Sequence, residues 1–318
     1  MVMLAFPVAL SASLLVTALL LWLLGRWFPG SRMGPALVLG VAAGHFGWAA
    51  SNEFSASSPE SGVTENLRTT LSTFRSPREA VQWVVPILLL LSVATLLPAL
   101  WRRGAVKGSD QPVEQGHWIR TILWAGIYSG TLLRLLWGSV YLTRRWSTLE
   151  AIATIAVHAI VLVAIQGMSR QPSNNRVRAW RFVLISVAGG AACGVIGMSG
   201  SAVYAQLLAT GIACLLLCTV LAWWERASDQ KIEWPIGMIL FVVGTHLWLG
   251  HYYAELSLLD SSLLIGAMAA GSLFGACGVS LPAWLNRVLP AIVCLALSLA
   301  AIAHAGITLS RTLSNPGW

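Results

Sequence analysis

The sequence predicts an all-α fold, a polytopic transmembrane helical bundle of about ten spans with both termini outside. Three observations predict it. Hydrophobic residues make up 57% of the 318 and charged residues only 10%, whereas soluble domains are about half apolar and a quarter charged. The apolar residues are gathered into runs of the roughly 20 residues that a membrane-crossing helix needs. The basic residues alternate in density from one connecting loop to the next, which is the signature of a fixed orientation in a bilayer.

Cutting the apolar runs at charges, prolines and polar clusters gives spans at 3–25, 33–50, 82–101, 118–141, 147–168, 180–198, 202–224, 234–253, 259–279 and 286–308. The first lacks a positive leading segment and is followed by Arg26 rather than a small-residue cleavage site, so it reads as a retained span. The second is short and carries Gly40, Gly44 and Gly47, which weaken a helix. A re-entrant second segment, with nine full spans, is therefore the alternative. Between spans two and three, the stretch 51–82 is rich in Ser, Thr and Glu and reads as a polar extracytoplasmic loop. The whole chain, 1–318, is one integral membrane domain on this reading.

Lys and Arg set the orientation. Arg26, Arg32, Arg102, Arg103, Lys107, Arg120, Arg170, Arg176, Arg178, Arg181, Arg226, Lys231 and Arg287 follow odd-numbered spans, against Arg68, Arg75, Arg78, Arg144, Arg145 and Arg311 on the other side. The denser side faces the cytoplasm, which puts both termini outside. Tryptophan, which prefers the headgroup level, agrees. Trp27, Trp101, Trp118, Trp180, Trp223, Trp224, Trp234 and Trp284 fall at inner ends, and Trp48, Trp83, Trp146 and Trp248 near outer ends. Arginine supplies eighteen of the twenty basic residues, which points to a GC-rich genome, and a bacterial cytoplasmic membrane is the expected setting.

So few charges leave no dense basic face to follow a phosphate backbone, which disfavours nucleic-acid binding. Cys193, Cys214, Cys218, Cys277 and Cys294 all lie in apolar runs and read as reduced, packed side chains. Cys214 and Cys218 share a helix face but have no third soft ligand nearby, so no metal site is expected. There is no Walker loop, zinc-spaced Cys/His set, HExxH or CxxCH, which removes an ATP-driven engine within this chain and covalent haem. Four GxxxG pairs, Gly40/Gly44, Gly126/Gly130, Gly190/Gly194 and Gly271/Gly275, predict close helix packing within the chain or in an oligomer. The glycine-rich stretch 189–200 has a second reading, a broken helix end lining a cavity.

Polar residues inside the spans carry the functional expectations, because an Arg at depth costs about 2.5 to 3.5 kcal/mol on insertion scales. Thr131, Arg134, Gly138 and Tyr141 fall within about 80° on span four, and Ser147, Glu150, Thr154 and His158 do the same on span five. Those two faces are expected to meet, with Glu150 neutralising Arg134. His45, His246 and His304 lie several residues below outer ends, and His251, Glu255 and Asp260 stand between spans eight and nine. The inner half holds little polar beyond Gln166 and Ser298.

The leading expectation is passage of a small, anionic solute through the bilayer. Arg134, Thr131, Tyr141 and His246 would bind it, Glu150 and His158 would relay a proton, and His45, His304, His251 and Asp260 are secondary candidates. Its partners are the lipid bilayer and the solute, and it needs no cofactor. A b-type haem held by two of His45, His246 and His304 is one alternative. A membrane enzyme using Glu150 or a histidine as base, with Arg134 on phosphate, is another. The blander readings are an isolated ion pair, imidazoles bonded to backbone carbonyls, and a structural subunit of a larger complex.

Overall fold

A computed structural model describes residues 2–27, 33–56, 65, 68–72, 80–91, 115–169, 175–224, 236–275, 282 and 284–314. All regular structure among them is helical. The helices are α1 (Val2–Trp27), α2 (Met33–Ala56), α3 (Gln115–Leu136), α4 (Thr148–Ser169), α5 (Asn175–Met198), α6 (Ala202–Trp224), α7 (Ile236–Tyr253), α8 (Leu258–Ser272) and α9 (Leu285–Ser314). A short turn, Ala80–Trp83, leads into helical residues 84–91. The rest of the third expected span, most of the polar loop 51–82, Cys277 and many of the loop arginines lie outside the described residues.

Six helical segments are long and apolar enough to cross a membrane: Ala5–Leu24, Thr148–Ser169, Val177–Met198, Ala202–Val220, Ile236–Tyr253 and Leu285–Ser314. Thr121–Leu136 and Leu258–Ser272 are apolar but shorter. The chain therefore has the helices of a multi-pass membrane protein. At the centre stands α7, in which every residue from Ile236 to Gly250 is buried. Its sequence is apolar all round, as a helix with neighbours on every side must be, and α2, α3, α4, α5, α6 and α8 all pack on it. The ends carrying the connections 137–147, 199–201 and 254–257 lie together, with the Tyr253 hydroxyl bonding the Leu135 carbonyl at 2.6 Å and Ile196 packed on Gly250, and are called the upper end below.

Glycine explains the second helix. Segment 33–56 is one unbroken helix, and its glycines serve contact with α1 and α6. A side chain at Gly40 would strike Thr17 Oγ1; one at Gly44 would strike Ser13 Oγ and come within 3.0 Å of Thr210 Oγ1. Gly271 behaves similarly, with Leu184 Cβ 3.0 Å from where its own Cβ would stand. The pairs Gly126/Gly130 and Gly190/Gly194 meet nothing within 4 Å among the described residues. Half of the expected GxxxG contacts are thus made within the chain. The broken-helix reading of 189–200 is not met, because α5 runs without interruption to Met198 and turns only at Gly200, where φ is +99°.

Two helices stop earlier than expected. The fourth span ends at Leu136 instead of 141, where Gly138 at φ +77° turns the chain into a π-helical turn, Tyr141–Arg145. The ninth ends at Ser272 instead of 279, before Gly275 at φ +67°. Positive φ is a conformation that glycine adopts without steric penalty and that ends a helix. In the other direction, α5 begins at Asn175 and draws Arg181, expected in a cytoplasmic loop, into the core.

Arg181 is fully buried. Its Nε–H donates to the Phe274 carbonyl at 2.8 Å and an Nη1–H to the Ser169 carbonyl at 2.7 Å. Both acceptors belong to helix C-terminal ends, whose last carbonyls lack intrahelical donors and carry the negative pole of the helix dipole. One guanidinium thereby ties the lower ends of α4, α5 and α8 together.

Candidate functional site

The expected ion pair is absent. Among the described residues Arg134 takes no carboxylate; its Cζ lies 3.6 Å above the centroid of the Trp83 ring. It occupies the last turn of α3, where a cation also suits the helix dipole. Because the helix ends two residues later, the groove predicted from Thr131 through Arg134 and Gly138 to Tyr141 does not continue. Thr131 is buried, Gly138 is exposed, and Tyr141 belongs to the next turn. A guanidinium carbon this close to an indole centroid engages the ring's face as a cation–π contact.

Glu150 does local work. Its Oε2 accepts from the Ser147 backbone N–H at 2.7 Å and from the Ser147 hydroxyl at 2.9 Å, while the Glu150 N–H donates to Ser147 Oγ at 3.3 Å. This is a capping box that starts α4. The carboxylate stands exposed at the helix end, and no contact joins it to His158. That imidazole donates from Nδ1 to the Thr154 carbonyl at 2.7 Å and meets the rings of Trp248 and Tyr252 at 6.0 and 6.3 Å. The proton relay expected along α4 is therefore not continuous.

An aromatic cluster closes the upper end of this region. Tyr252 stands edge-on to both Tyr141 and Trp146, which are tilted against each other, with centroids 5.1 to 5.7 Å apart. His251 rests against Tyr252 at 4.8 Å and bonds the Leu256 carbonyl at 2.8 Å. Spacings this short fit rings packed against one another with no guest between them.

The structure does bring together two pairs of the secondary candidates. On α8 and α9, His304 Nδ1 lies 2.9 Å from Asp260 Oδ1. Between α2 and α7, the His45 and His246 rings meet at 5.4 Å and an interplanar angle of 60°. Both of these imidazoles are buried, at 2% and 0% exposure. His45 Nδ1 bonds the Val41 carbonyl at 3.0 Å and His246 Nδ1 the Val242 carbonyl at 2.8 Å. A carbonyl only accepts, so each Nδ1 carries the hydrogen and each Nε2 presents a lone pair. Neither Nε2 has a hydrogen-bond partner.

The register of the pair is set one turn below it. There Val41, Gly211 and Val242 meet: a Cβ on Gly211 would stand 2.9 Å from Val242 Cγ1 and 3.5 Å from Val41 Cγ2. This pinch of α2, α6 and α7 brings the next turn of α2 against the next turn of α7. A b-type haem does not fit between the two imidazoles, because axial ligands must face each other across a macrocycle-wide slot and these rings touch. His304 is held elsewhere, against Asp260. Among the described residues no group of three or more His, Cys, Asp or Glu converges on a point; Cys214 instead faces Ser13 and Thr17.

Comparison with protein families, curated proteins and solved structures yields no match to this chain.

Proposed function

We propose that the chain is a ten-span permease for a small anionic solute, both termini outside, with the His45–His246 pair as its central polar station. The observation that carries this reading is the pair of unpartnered Nε2 atoms on two touching, buried imidazoles. An unsatisfied buried polar group costs about 1 to 3 kcal/mol, and above the contact of Val41, Gly211 and Val242 either ring is replaceable by an apolar side chain of similar volume. Two such groups at one spot return nothing to stability, and sites that break packing rules without structural return are where function is expected.

Their placement supports the same reading. Polar side chains inside membrane bundles line solute and ion pathways, and His246 stands on the helix that every central neighbour touches. When α2 and α7 part, two acceptors become available to a solute's hydrogen-bond donors. Arg134, stacked on Trp83 toward the upper end, supplies the charge that selects an anion. His158, Tyr141 and His251 take a lining role between the two, and Glu150 is assigned to helix capping.

Proteoliposomes on a solid-supported membrane, challenged with acetate, lactate, succinate or inorganic phosphate, test this directly. The wild type gives a current with at least one of these probes. The current falls at least tenfold in His246→Leu and in Arg134→Ala, while the melting temperature of His246→Leu stays level or rises. Wild-type currents from both variants reject the two residues, and silence of the wild type with all four probes rejects the anionic solute.

A further inference from the structure

The second histidine site differs in chemistry from the first. Asp260 lies in the first turn of α8, at the upper end, where Ser257 is the N-cap. The Ser257 hydroxyl donates to Asp260 Oδ2 at 2.7 Å, and the Asp260 N–H donates back to Ser257 Oγ at 3.0 Å. Oδ1 of the same carboxylate accepts from His304 Nδ1 at 2.9 Å across the α8–α9 interface. The carboxylate is 5% exposed and the imidazole 40%. A buried acid is thus oriented by a serine, placed at the positive pole of a helix, and paired with an imidazole whose other edge is open.

The chain around the pair keeps it at the polar boundary. Glu255, at φ +56°, turns the backbone so that the Leu256 N–H reaches the Gly250 carbonyl at 3.0 Å, which sets Ser257 at the start of α8. Beyond His304, α9 continues to Ser314 with Thr308, Ser310, Arg311, Thr312 and Ser314 all exposed. Exposed polar side chains therefore begin one turn past the imidazole, interleaved with exposed Ile307, Leu309 and Leu313. Charged or titratable groups toward the pair are Asp260 on α8, Arg311 two turns on along α9, and Glu255 and His251 in and beside the connecting turn. From α5, the described neighbour at this level is Met198, whose Sδ lies 4.0 Å from the Cβ position of Gly306.

We propose that Asp260 and His304, with Ser257 orienting the carboxylate, form a proton-transfer dyad at the upper end, its ligand being a proton delivered by water or by a hydroxyl of a molecule outside. The step balances simply. Nε2 of His304 accepts the proton with its lone pair, the donor is left as hydroxide or alkoxide or is itself reprotonated by bulk water, and the ring becomes an imidazolium. Asp260 accepts from Nδ1–H throughout. Its role is to fix the tautomer that leaves Nε2 as the accepting atom, and to neutralise the cation once formed, as the carboxylate of an Asp–His pair does in other folds. The His45–His246 pair lacks both properties, having carbonyls where the dyad has an acid and no open edge. This inference is independent of the permease reading: the dyad accepts protons whether or not a solute crosses.

Nitrogen-15 NMR of the full-length chain in lipid nanodiscs, labelled at histidine and assigned with His304→Gln, locates the proton. On acidification the Nε2 resonance of His304 moves to its protonated position while Nδ1 holds the shift of a bonded N–H. In Asp260→Asn the ring becomes a mixture of two tautomers. A His304 Nε2 that stays unmoved at every pH at which the chain remains folded overturns the proposal, as does a wild-type ring protonated at Nε2 with Nδ1 bare. Should the Asn variant not fold, the wild-type titration alone decides.

Discussion

Arg181 and Arg134 show how one residue type takes opposite roles within one bundle. Arg181 is enclosed and directs its donors at two helix-terminal carbonyls, so its removal leaves those acceptors bare and opens a void where a large side chain was. Loss of a partner in a buried charged network typically costs about 3 to 5 kcal/mol. Arg181→Ala is expected to lower stability by that order, and Arg181→Lys to recover only part of it, because an ammonium lacks the planar fork that spans two acceptors. Thermal unfolding in a fixed detergent measures both. An Ala variant as stable as the wild type would remove the helix-tying role. Arg134, by contrast, has a ring under it and, among the described residues, no acid beside it, and its substitution is expected to change solute handling far more than stability.

At the scale of the element, the helices were legible because apolar runs of membrane length are a strong signal, and α4, α6, α7 and α9 begin and end within two residues of expectation apart from the six-residue extension of α9 to Ser314. What the sequence hid were ends set by backbone conformation. Gly138 and Gly275 stop α3 and α8 inside apolar runs, and hydropathy carries no information about φ. Some of the site was legible but read at the wrong level. Ser147–Thr–Leu–Glu150 is an S-x-x-E capping box, a signal present in the sequence that accounts for Glu150 without any arginine. The pairing of His45 with His246 and of Asp260 with His304 depends on which helices become neighbours, and azimuth within a single helix does not say so. The glycine pairs make the same point. Gly44→Val drives a branched side chain into Ser13, Thr210 and the Ala9 carbonyl and is expected to destabilise by about 1 to 3 kcal/mol. Gly130→Val, facing open space, is expected to stay within about 0.5 kcal/mol of the wild type. Equal effects in a chemical unfolding series would show that α1–α2 packing does not rest on that contact.

For the whole molecule, the organising feature is α7, an enclosed helix with Thr245 and His246 buried near its middle. A rigid scaffold and a permease differ in one respect at that level: only the permease exposes its centre to water on each side in turn. The most direct test uses His246→Cys in a chain whose five native cysteines are replaced by alanine, reconstituted in sealed vesicles and treated with a membrane-impermeant maleimide from one face or the other. For a permease the expected result is modification of the introduced thiol from either face, slowly in each case because the position is sealed in this conformation. A thiol that reacts from neither face over the lifetime of the folded protein would contradict it.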